Sequence, residues 1–326
     1  MTEEKLLDVI GLKTYFYTLA GVVQAVDGIN LDIMKGETLG IVGESGSGKT
    51  VTVLSILRII PPPGKIISGK ILYKNEDLMT KKESEMLDIR GKEIAMSFQD
   101  PTTSLNPVFT IGDQIIEVIK RHQKIESKEE AVKRTIDLLK EVGISDPQSK
   151  IWHYPWEFSG GMKQRIAFAR AIACRPQLLF ADEPTTSLDV TIQAQILDFL
   201  RDLKKTFNMT LVLISHDMGV IYEMADRIAV LYAGRNCETA DRDTIFKNPR
   251  HPYTKALMTS VPRIGTTIDD LKTIPGEIPD LVYPPAGCRF HPRCQYAKPI
   301  CSKEIPIYKD SGDGHFIACH RWREID

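Results

Sequence analysis

Short β-rich runs recur along the chain, and segments with helical spacing lie between them. Strands that alternate with helices predict an α/β domain whose sheet is largely parallel. The runs are Thr38–Val42, Ile94–Phe98, Leu178–Ala181, Thr210–Ile214 and Arg227–Tyr232.

Two of the intervening segments have the marks of helices. Ser127 and Glu130 are spaced as in a capping box, with the serine as the N-cap residue. The helix that follows should end at Gly143, because glycine adopts the left-handed conformation of a C-terminal cap. Val190–Phe207 has apolar residues on one face at helical spacing and predicts a second helix.

The character of the sequence changes from about Asn248. Prolines cluster from position 249 onwards, and no long helical period survives. We therefore predict an α/β domain over residues 1–247 and a smaller, loop-rich extension over residues 248–326. A segment this small needs an added stabilising element, such as a bound metal, to keep a defined fold.

The composition limits the classes of protein to which the chain can belong. Of the 326 residues, 42% are hydrophobic and 26% are charged, which is ordinary for a globular protein. The net charge of −1 gives no global basic field, so nucleic acid is not an expected partner. There is no apolar run of membrane-spanning length and no apolar core near the start. We expect a cytoplasmic chain, in which cysteines are more often free thiols or metal ligands than disulfides.

A phosphate-binding motif follows the first of the predicted strands. Residues 43–50 fit G-x-x-x-x-G-K-[ST], and the strand–loop–helix context makes a chance match improbable. The glycines let backbone N–H groups face a phosphate, and the next helix adds its positive end. Lys49 should reach the β- and γ-phosphates of ATP, and Thr50 should bind Mg²⁺. The candidate nucleotide-binding residues are Gly43, Ser45, Gly46, Ser47, Gly48, Lys49, Thr50 and Val51.

Two carboxylates end the apolar run Leu178–Ala181. Asp182 suits a Mg²⁺ ligand, and Glu183 suits the group that polarises the attacking water. A buried strand that ends in solvated acids is the alternative interpretation, and the phosphate-binding motif upstream makes that alternative weaker.

A second motif separates this chain from most other families that carry the phosphate-binding motif. It is the stretch Ser159-Gly160-Gly161-Met162-Lys163-Gln164. It resembles the S-G-G-x-x-Q signature of ABC ATPases and stands before the acidic strand, as it does in that family. Ser159 can cap a helix whose exposed N-terminus is a second anion site. The resemblance implies that this site closes on the γ-phosphate held by another subunit. One departure is Phe158, which stands where a leucine commonly precedes the serine.

Further elements of the family appear in order, and the resemblance covers roughly residues 5–245. Gln99 is similar to the glutamine that touches Mg²⁺ and the water, and Asp189 belongs to a D-loop sequence. His216 is similar to the histidine that contacts the γ-phosphate. An aromatic residue stacks on adenine in the family, and the spacing favours Tyr15 or Phe16 without separating them. The resemblance also implies a helical subdomain over residues of about 100–175, with a groove for the membrane subunit.

Two longer stretches resemble the ATPase subunits of dipeptide and oligopeptide importers. They are residues 98–107 and 186–195, and His251-Pro252-Tyr253-Thr254 opens an extension typical of that group. The resemblance implies a peripheral ATPase on the cytoplasmic face of the membrane. It would work with a second ATPase subunit, identical or sister, two membrane-spanning permease subunits and a solute-binding protein. The alternatives are a nickel importer and a non-transport ABC ATPase with a metal-binding tail; the sequence does not identify the solute.

Four cysteines of the extension form a candidate metal site. Their spacing, C-x5-C-x6-C-x17-C, lacks the close pair usual in structural zinc sites. Some relatives among the peptide importers hold a 4Fe–4S cluster here, so the resemblance implies such a cluster, with zinc or free thiols as alternatives. Cys174 and Cys237 are expected to be small apolar residues of the ATPase domain. The four candidate ligands are Cys288, Cys294, Cys301 and Cys319.

Overall fold

The computed structural model describes residues 4–125, 127–186, 189–259 and 274–325. The strands in these ranges are β1 (Lys5–Thr18), β2 (Gly21–Met34), β3 (Thr38–Val42), β4 (Gly64–Tyr73), β5 (Glu76–Asp77), β6 (Ile94–Ser97), β7 (Leu178–Asp182), β8 (Thr210–Ser215), β9 (Arg227–Tyr232), β10 (Arg235–Asp241), β11 (Lys309–Asp310) and β12 (Phe316–Ile317).

Helices connect most of these strands. They are α1 (Lys49–Ile56), α2 (Glu83–Ile89), α3 (Pro101–Ser104), α4 (Ile111–Gln123), α5 (Lys128–Glu141), α6 (Pro147–Lys150), α7 (Gly160–Ile172), α8 (Val190–Phe207), α9 (Met218–Met224), α10 (Arg242–Lys247) and α11 (Pro252–Thr259). Short 3-10 turns occur at Leu78–Thr80, Pro155–Glu157, His291–Arg293 and Pro299–Ser302. No helix in the described ranges combines the length and the hydrophobicity that a membrane crossing requires.

The predicted strands and helices are all present. β3, β9 and α8 have the predicted bounds, and β6, β7 and β8 differ from the prediction by one residue at their carboxyl ends. Ser127 caps α5 by accepting a hydrogen bond from the Glu130 N–H at 3.3 Å. Gly143, two residues beyond the end of α5, has a φ of 77°, as a left-handed cap requires.

The chain folds into two compact units, and the first comprises Met1–Thr80 and Ser215–Asp326. Two long strands that the sequence pattern did not reveal, β1 and β2, form an antiparallel hairpin, and β4 and β5 extend the sheet beyond β1. In the second sheet of this unit, β3 runs parallel to β9, and β9 runs antiparallel to β10.

The C-terminal extension belongs to this first unit. Its strand β12 pairs with β10, where Glu238 is opposite Ile317, so the extension lengthens the same sheet. Tyr253 and Phe290 of the extension pack against Tyr232 at the end of β9, with ring centroids 4.6 and 5.2 Å away. These rings are nearly inaccessible to solvent, and they form an apolar core shared by the extension and β9.

The second unit comprises Lys81–Ile214. Its strands β6, β7 and β8 are parallel, and Leu178 of β7 is opposite both Ile94 and Thr210. Phe168 of α7 and Phe199 of α8 lie 5.9 Å apart between ring centroids and are buried. Because parallel strands end at the same edge, this register brings the residues after β6 and β7 together.

Candidate functional site

The loop between β3 and α1 can be formed only with glycine at two of its positions. Gly48 has a φ of 97°, and a Cβ atom there would lie 2.6 Å from the Ala25 carbonyl oxygen. Gly43 has a φ of 155°, and a Cβ atom there would lie 2.7 Å from Ser47 Oγ. A side chain at either position would overlap its surroundings, so the loop conformation depends on both glycines.

The side chains inside this loop suit an anion. Lys49 is only 6% exposed, and its Nζ donates to the carbonyl oxygens of Gly43 at 2.6 Å and Glu44 at 3.1 Å. Ser47 Oγ is buried and has no hydrogen-bond partner among the described residues. Helix α1 begins at Lys49, so its first N–H groups adjoin the loop. A buried ammonium, an unpaired hydroxyl and a helix N-terminus together fit a nucleotide phosphate.

Contacts from distant parts of the first unit support the loop. The Gly234 N–H donates to the Ser47 carbonyl oxygen at 2.9 Å. The Glu44 N–H donates to the Tyr253 hydroxyl oxygen at 2.9 Å, and the Glu44 carboxylate pairs with Arg293 at 2.8 Å. These partners could not be predicted from the motif, because Glu44 stands at an unrestricted position of it.

The structure brings Gln99 and Glu183 together in the second unit. Gln99 Nε2 donates to Glu183 Oε2 at 2.9 Å, and the Thr186 hydroxyl donates to the same oxygen at 3.0 Å. Asp182, which ends β7, is 2% exposed. Glu183 has a φ of 43°, an uncommon conformation for a residue other than glycine and one that often marks functional sites. Thr186 was not predicted as a site residue.

The signature stretch forms the start of α7, as predicted. Ser159 caps the helix by accepting from the Met162 N–H at 3.4 Å, and Gly160 is exposed. Phe158, before the cap, is 7% exposed and anchors the turn in the core. Gln164 is buried, and its Nε2 has no partner within the described ranges. The helix N-terminus is therefore open to solvent while the helix itself is anchored.

The remaining predicted site residues are distributed over both units. Asp189 caps α8 by accepting from the Ile192 N–H at 2.9 Å, whereas Ser187 and Leu188 of the D-loop lie outside the described residues. His216 is exposed and follows β8.

The two candidate aromatic residues near the end of β1 differ in their contacts. The Tyr15 hydroxyl donates to Asp27 at 2.8 Å, and burial followed by this bond raises the pKa of Tyr15 to about 12. The Phe16 ring lies against Gly64, where an added Cβ would come within 2.7 Å of the ring. Which residue stacks on adenine stays a prediction.

The four cysteines of the extension line one small cavity together with His251 and Tyr296. Burial raises the pKa of the Cys288 thiol to about 12 and that of Cys319 to about 11. Among the described residues, however, no three His, Cys, Asp or Glu side chains are arranged to hold a metal ion. The thiols share a cavity without forming a coordination site, so the predicted 4Fe–4S cluster is not confirmed, and neither is zinc.

Comparisons with known proteins agree with the geometry of the nucleotide loop. The family model for ABC transporters matches residues 26–186, and the model for the C-terminal region of oligopeptide/dipeptide transporters matches residues 237–301. The dipeptide transport ATP-binding protein DppD of Bacillus subtilis (strain 168) is 48% identical over 97% of this chain and 94% of its own length. The chain belongs to the ABC transporter family.

Other members of the family support the same assignment. The oligopeptide transport ATP-binding protein OppD of Bacillus subtilis (strain 168) is 50% identical to this ABC protein over 96% of the chain and 88% of its own length. Among solved structures, the dimeric post-hydrolysis state of the ATP-binding cassette MJ0796 bound to ADP and Pi is similar, with a TM-score of 0.64 and 27% identity. That likeness covers 72% of this chain and 98% of the cassette.

Proposed function

We propose that this ABC protein is the ATP-hydrolysing subunit of an importer of dipeptides or oligopeptides, bound peripherally at the cytoplasmic face of the membrane. The observation that carries the proposal is the loop 43–50, in which a buried lysine and an unpaired buried serine hydroxyl adjoin a helix N-terminus. The names of DppD and OppD, each matched over nearly the whole chain, support peptides as the solute class.

Each site residue has a role that its chemistry supports. Lys49 binds the β- and γ-phosphates of ATP, and Thr50, Gln99 and Asp182 supply the oxygen ligands that suit Mg²⁺. When bound, Mg²⁺ neutralises developing phosphate charge. Glu183 orients and polarises the attacking water, and the hydrogen bond from Gln99 at 2.9 Å keeps its carboxylate in position.

Ser159, Gly160, Gly161 and Gln164 serve the nucleotide of a second ATPase subunit. The exposed N-terminus of α7 has N–H groups for an anion, and Ser159 already satisfies one of them through the Met162 N–H. The dimeric cassette named above supports a paired arrangement. In this proposal Asp189 and His216 complete the shared site, and the second subunit is either a copy of this chain or a sister protein.

The membrane partners are two permease subunits that receive solute from a solute-binding protein. Residues of about 100–175 form the helical subdomain that docks on them, and Pro101–Asn106 shift with nucleotide state through Gln99. Substitutions in the docking groove should uncouple transport while basal ATP hydrolysis continues. Cross-links to the permeases that map only outside this range would refute the docking surface.

The test of function is reconstitution with the permeases that co-purify in detergent. Peptide uptake should require ATP and should stop with Glu183→Gln, while Ni²⁺ uptake stays at background. Ni²⁺-dependent transport without peptide uptake would favour the nickel importer. Failure to retain any permease, together with intact ATP hydrolysis, would favour a non-transport ATPase.

We also propose that the four cysteines bind a 4Fe–4S cluster with a structural role. Their shared cavity and the need of a small extension for an added stabilising element support this, although the described side chains as arranged do not form a metal site. Thiols with raised pKa values keep their protons until a metal displaces them. Protein purified without oxygen should be brown, with about four iron atoms per chain. Colourless protein with one zinc or no metal would refute the cluster.

A further inference from the structure

Two side chains of the C-terminal extension hold one residue of the nucleotide loop. Arg293 donates to both carboxylate oxygens of Glu44, with NH1 at 2.8 Å and NH2 at 3.2 Å. The Tyr253 hydroxyl oxygen accepts from the Glu44 backbone N–H at 2.9 Å. Glu44 is thereby bound through its side chain and its main chain, and both partners lie more than 200 residues away in sequence.

Arg293 is itself held in a fixed orientation. Its side chain is 5% exposed, Nε donates to the Pro275 carbonyl oxygen at 2.9 Å, and NH1 donates to the Tyr232 hydroxyl at 3.3 Å. Burial by itself would lower the pKa of Arg293, but the hydrogen bond to Glu44 raises it above its usual value. The guanidinium therefore stays charged, and its planar fork matches the Glu44 carboxylate in two places.

Glu44 contacts Lys49, the residue that we propose binds phosphate. Lys49 Nζ donates to the carbonyl oxygens of Gly43 and Glu44, so those two peptide groups set where the ammonium lies. A displacement of Glu44 moves the carbonyl groups that place Lys49. The path from Arg293 to the ammonium thus has two steps, Arg293 to Glu44 and Glu44 to Lys49.

A second arginine supports the loop at Ser47. Arg289 is 2% exposed, donates to the Ala233 carbonyl oxygen and pairs with Asp27 at 2.8 Å. Gly234, the next residue, donates its N–H to the Ser47 carbonyl oxygen at 2.9 Å. Arg289 precedes Phe290, the N-cap of the short 3-10 turn His291–Arg293, and Arg293 ends that turn. One small segment of the extension therefore supports the loop at two positions, Glu44 and Ser47.

We propose that Arg293 and Tyr253 are positioning residues of the ATP site and that the extension is a required part of that site. They act through Glu44 and do not touch the nucleotide. The inference rests on the proposed function, because it takes loop 43–50 to bind ATP. It predicts that nucleotide affinity depends on a segment that lies outside the residues matched by the ABC transporter family model.

The test is titration of the purified full chain with a fluorescent ATP analogue and Mg²⁺, followed by ATPase kinetics. Arg293→Ala should raise the dissociation constant about 5- to 150-fold, the usual range for coupled sites, and should raise KM more than it lowers kcat. Tyr253→Phe removes one hydroxyl and leaves the packed ring, so this variant should fold normally. It should raise the dissociation constant several-fold.

The matched control is Arg321→Ala, which removes another arginine of the extension. Arg321 bonds the Tyr296 carbonyl oxygen at 2.6 Å and Glu324 at 3.1 Å, and neither partner belongs to the loop. If the extension had only a structural role, Arg321→Ala and Arg293→Ala would have the same nucleotide affinity whenever they lost the same thermal stability. We expect only Arg293→Ala to weaken binding.

Double variants separate the steps of the path. Arg293→Ala should add little to the loss of nucleotide affinity caused by Glu44→Gln, because both remove the same ion pair.

The single variant Lys49→Ala separates failure of the proposed ATP site from failure of the positioning role. Unchanged binding in Lys49→Ala would overturn the proposed ATP site itself. Lost binding in Lys49→Ala with wild-type affinity in both Arg293→Ala and Tyr253→Phe would overturn only this inference.

Discussion

The nucleotide loop is held in place differently from Gln99 and Glu183, the two residues that we propose are catalytic and call the catalytic pair. In the loop, glycine conformations at positions 43 and 48 and buried contacts from distant residues fix the backbone, and Lys49 is 6% exposed. In the second unit, Gln99 is exposed, and Glu183 is held by two side-chain hydrogen bonds at 2.9 and 3.0 Å. Packing therefore determines where the ammonium of the first region lies, whereas side-chain hydrogen bonds orient the carboxylate of the second.

This difference suits the two tasks. A phosphate site gains affinity when its donors are already in place, because no reorganisation accompanies binding. A catalytic carboxylate that serves only one step of a transport cycle is more useful if it can be moved out of position. Variants in the two regions should accordingly divide into those that change binding and those that change turnover.

The largest effect should come from Glu183→Gln. Loss of the carboxylate removes the group that polarises water, so kcat for ATP hydrolysis should fall about a thousandfold while nucleotide affinity remains. Steady-state ATPase assays and nucleotide titration measure the two separately. Asp198→Asn, on the exposed face of α8, is the control and should behave as wild type. Full ATPase activity in Glu183→Gln would remove the distinction between the regions.

Lys49→Ala should reduce both binding and turnover, each roughly a hundredfold, because the ammonium contacts phosphate before and during the reaction. The same assays apply, with Lys70→Ala on the exposed surface of β4 as the control. A variant that lost turnover alone would place Lys49 with the catalytic pair and contradict the comparison.

Gly48→Ala tests how far packing determines the loop. The added methyl group would overlap the Ala25 carbonyl oxygen at a φ of 97°, and we expect the free energy of unfolding to fall by about 1–3 kcal/mol. Gly161→Ala in α7 meets only a methyl group of Ile192 at 3.0 Å, and its stability should change little. Denaturant unfolding of both variants checks this, and equal losses would count against a specially constrained loop.

The smallest effect concerns pH. Burial lowers the pKa of His251 to about 4, although Glu238 acts in the opposite direction, and the neutral ring accepts the Tyr253 N–H on Nδ1 at 3.0 Å. Between about pH 4 and 6.5 the unfolded chain binds a proton that the folded chain does not. Stability should therefore fall as the pH drops, by about 1 kcal/mol from pH 6.5 to 5.5.

Thermal unfolding across this pH range measures the effect. His251→Gln should flatten the slope, because the titrating ring is gone. An unchanged slope would assign the pH dependence to a group other than His251.

Local sequence patterns were sufficient for much of the fold. The strands β3 and β9 and the helix α8 were predicted to the residue, because their apolar runs lie within the elements themselves. The N-cap of α7, Ser159, was also predicted, from the signature stretch that it opens. The long hairpin of β1 and β2 was not predicted, although β2 alternates the buried Ile29, Leu31 and Ile33 with less buried residues at a period of two. The partner strand β1 lacks such regular alternation, and its pairing with β2 has several register shifts.

The parts of the site that depend on distant contacts could not be predicted. Nothing near Glu44 indicates that Tyr253 and Arg293 bind it, because partners separated by 209 and 249 residues leave no local pattern. The resemblance to peptide-importer ATPases implied that the four thiols approach one another, and they do line one cavity. Spacing could not specify the orientation of the sulfur atoms, which decides whether a metal fits.

The first unit is assembled from the two ends of the chain, and this has a consequence during synthesis. The nucleotide loop leaves the ribosome early, whereas Arg293 follows Glu44 by 249 residues. At a translation rate of about 5–20 residues per second, the loop waits roughly 10 to 50 s for its last support. A nascent or prematurely terminated chain consequently lacks the finished loop, so only completed chains reach the affinity for ATP that the whole protein has.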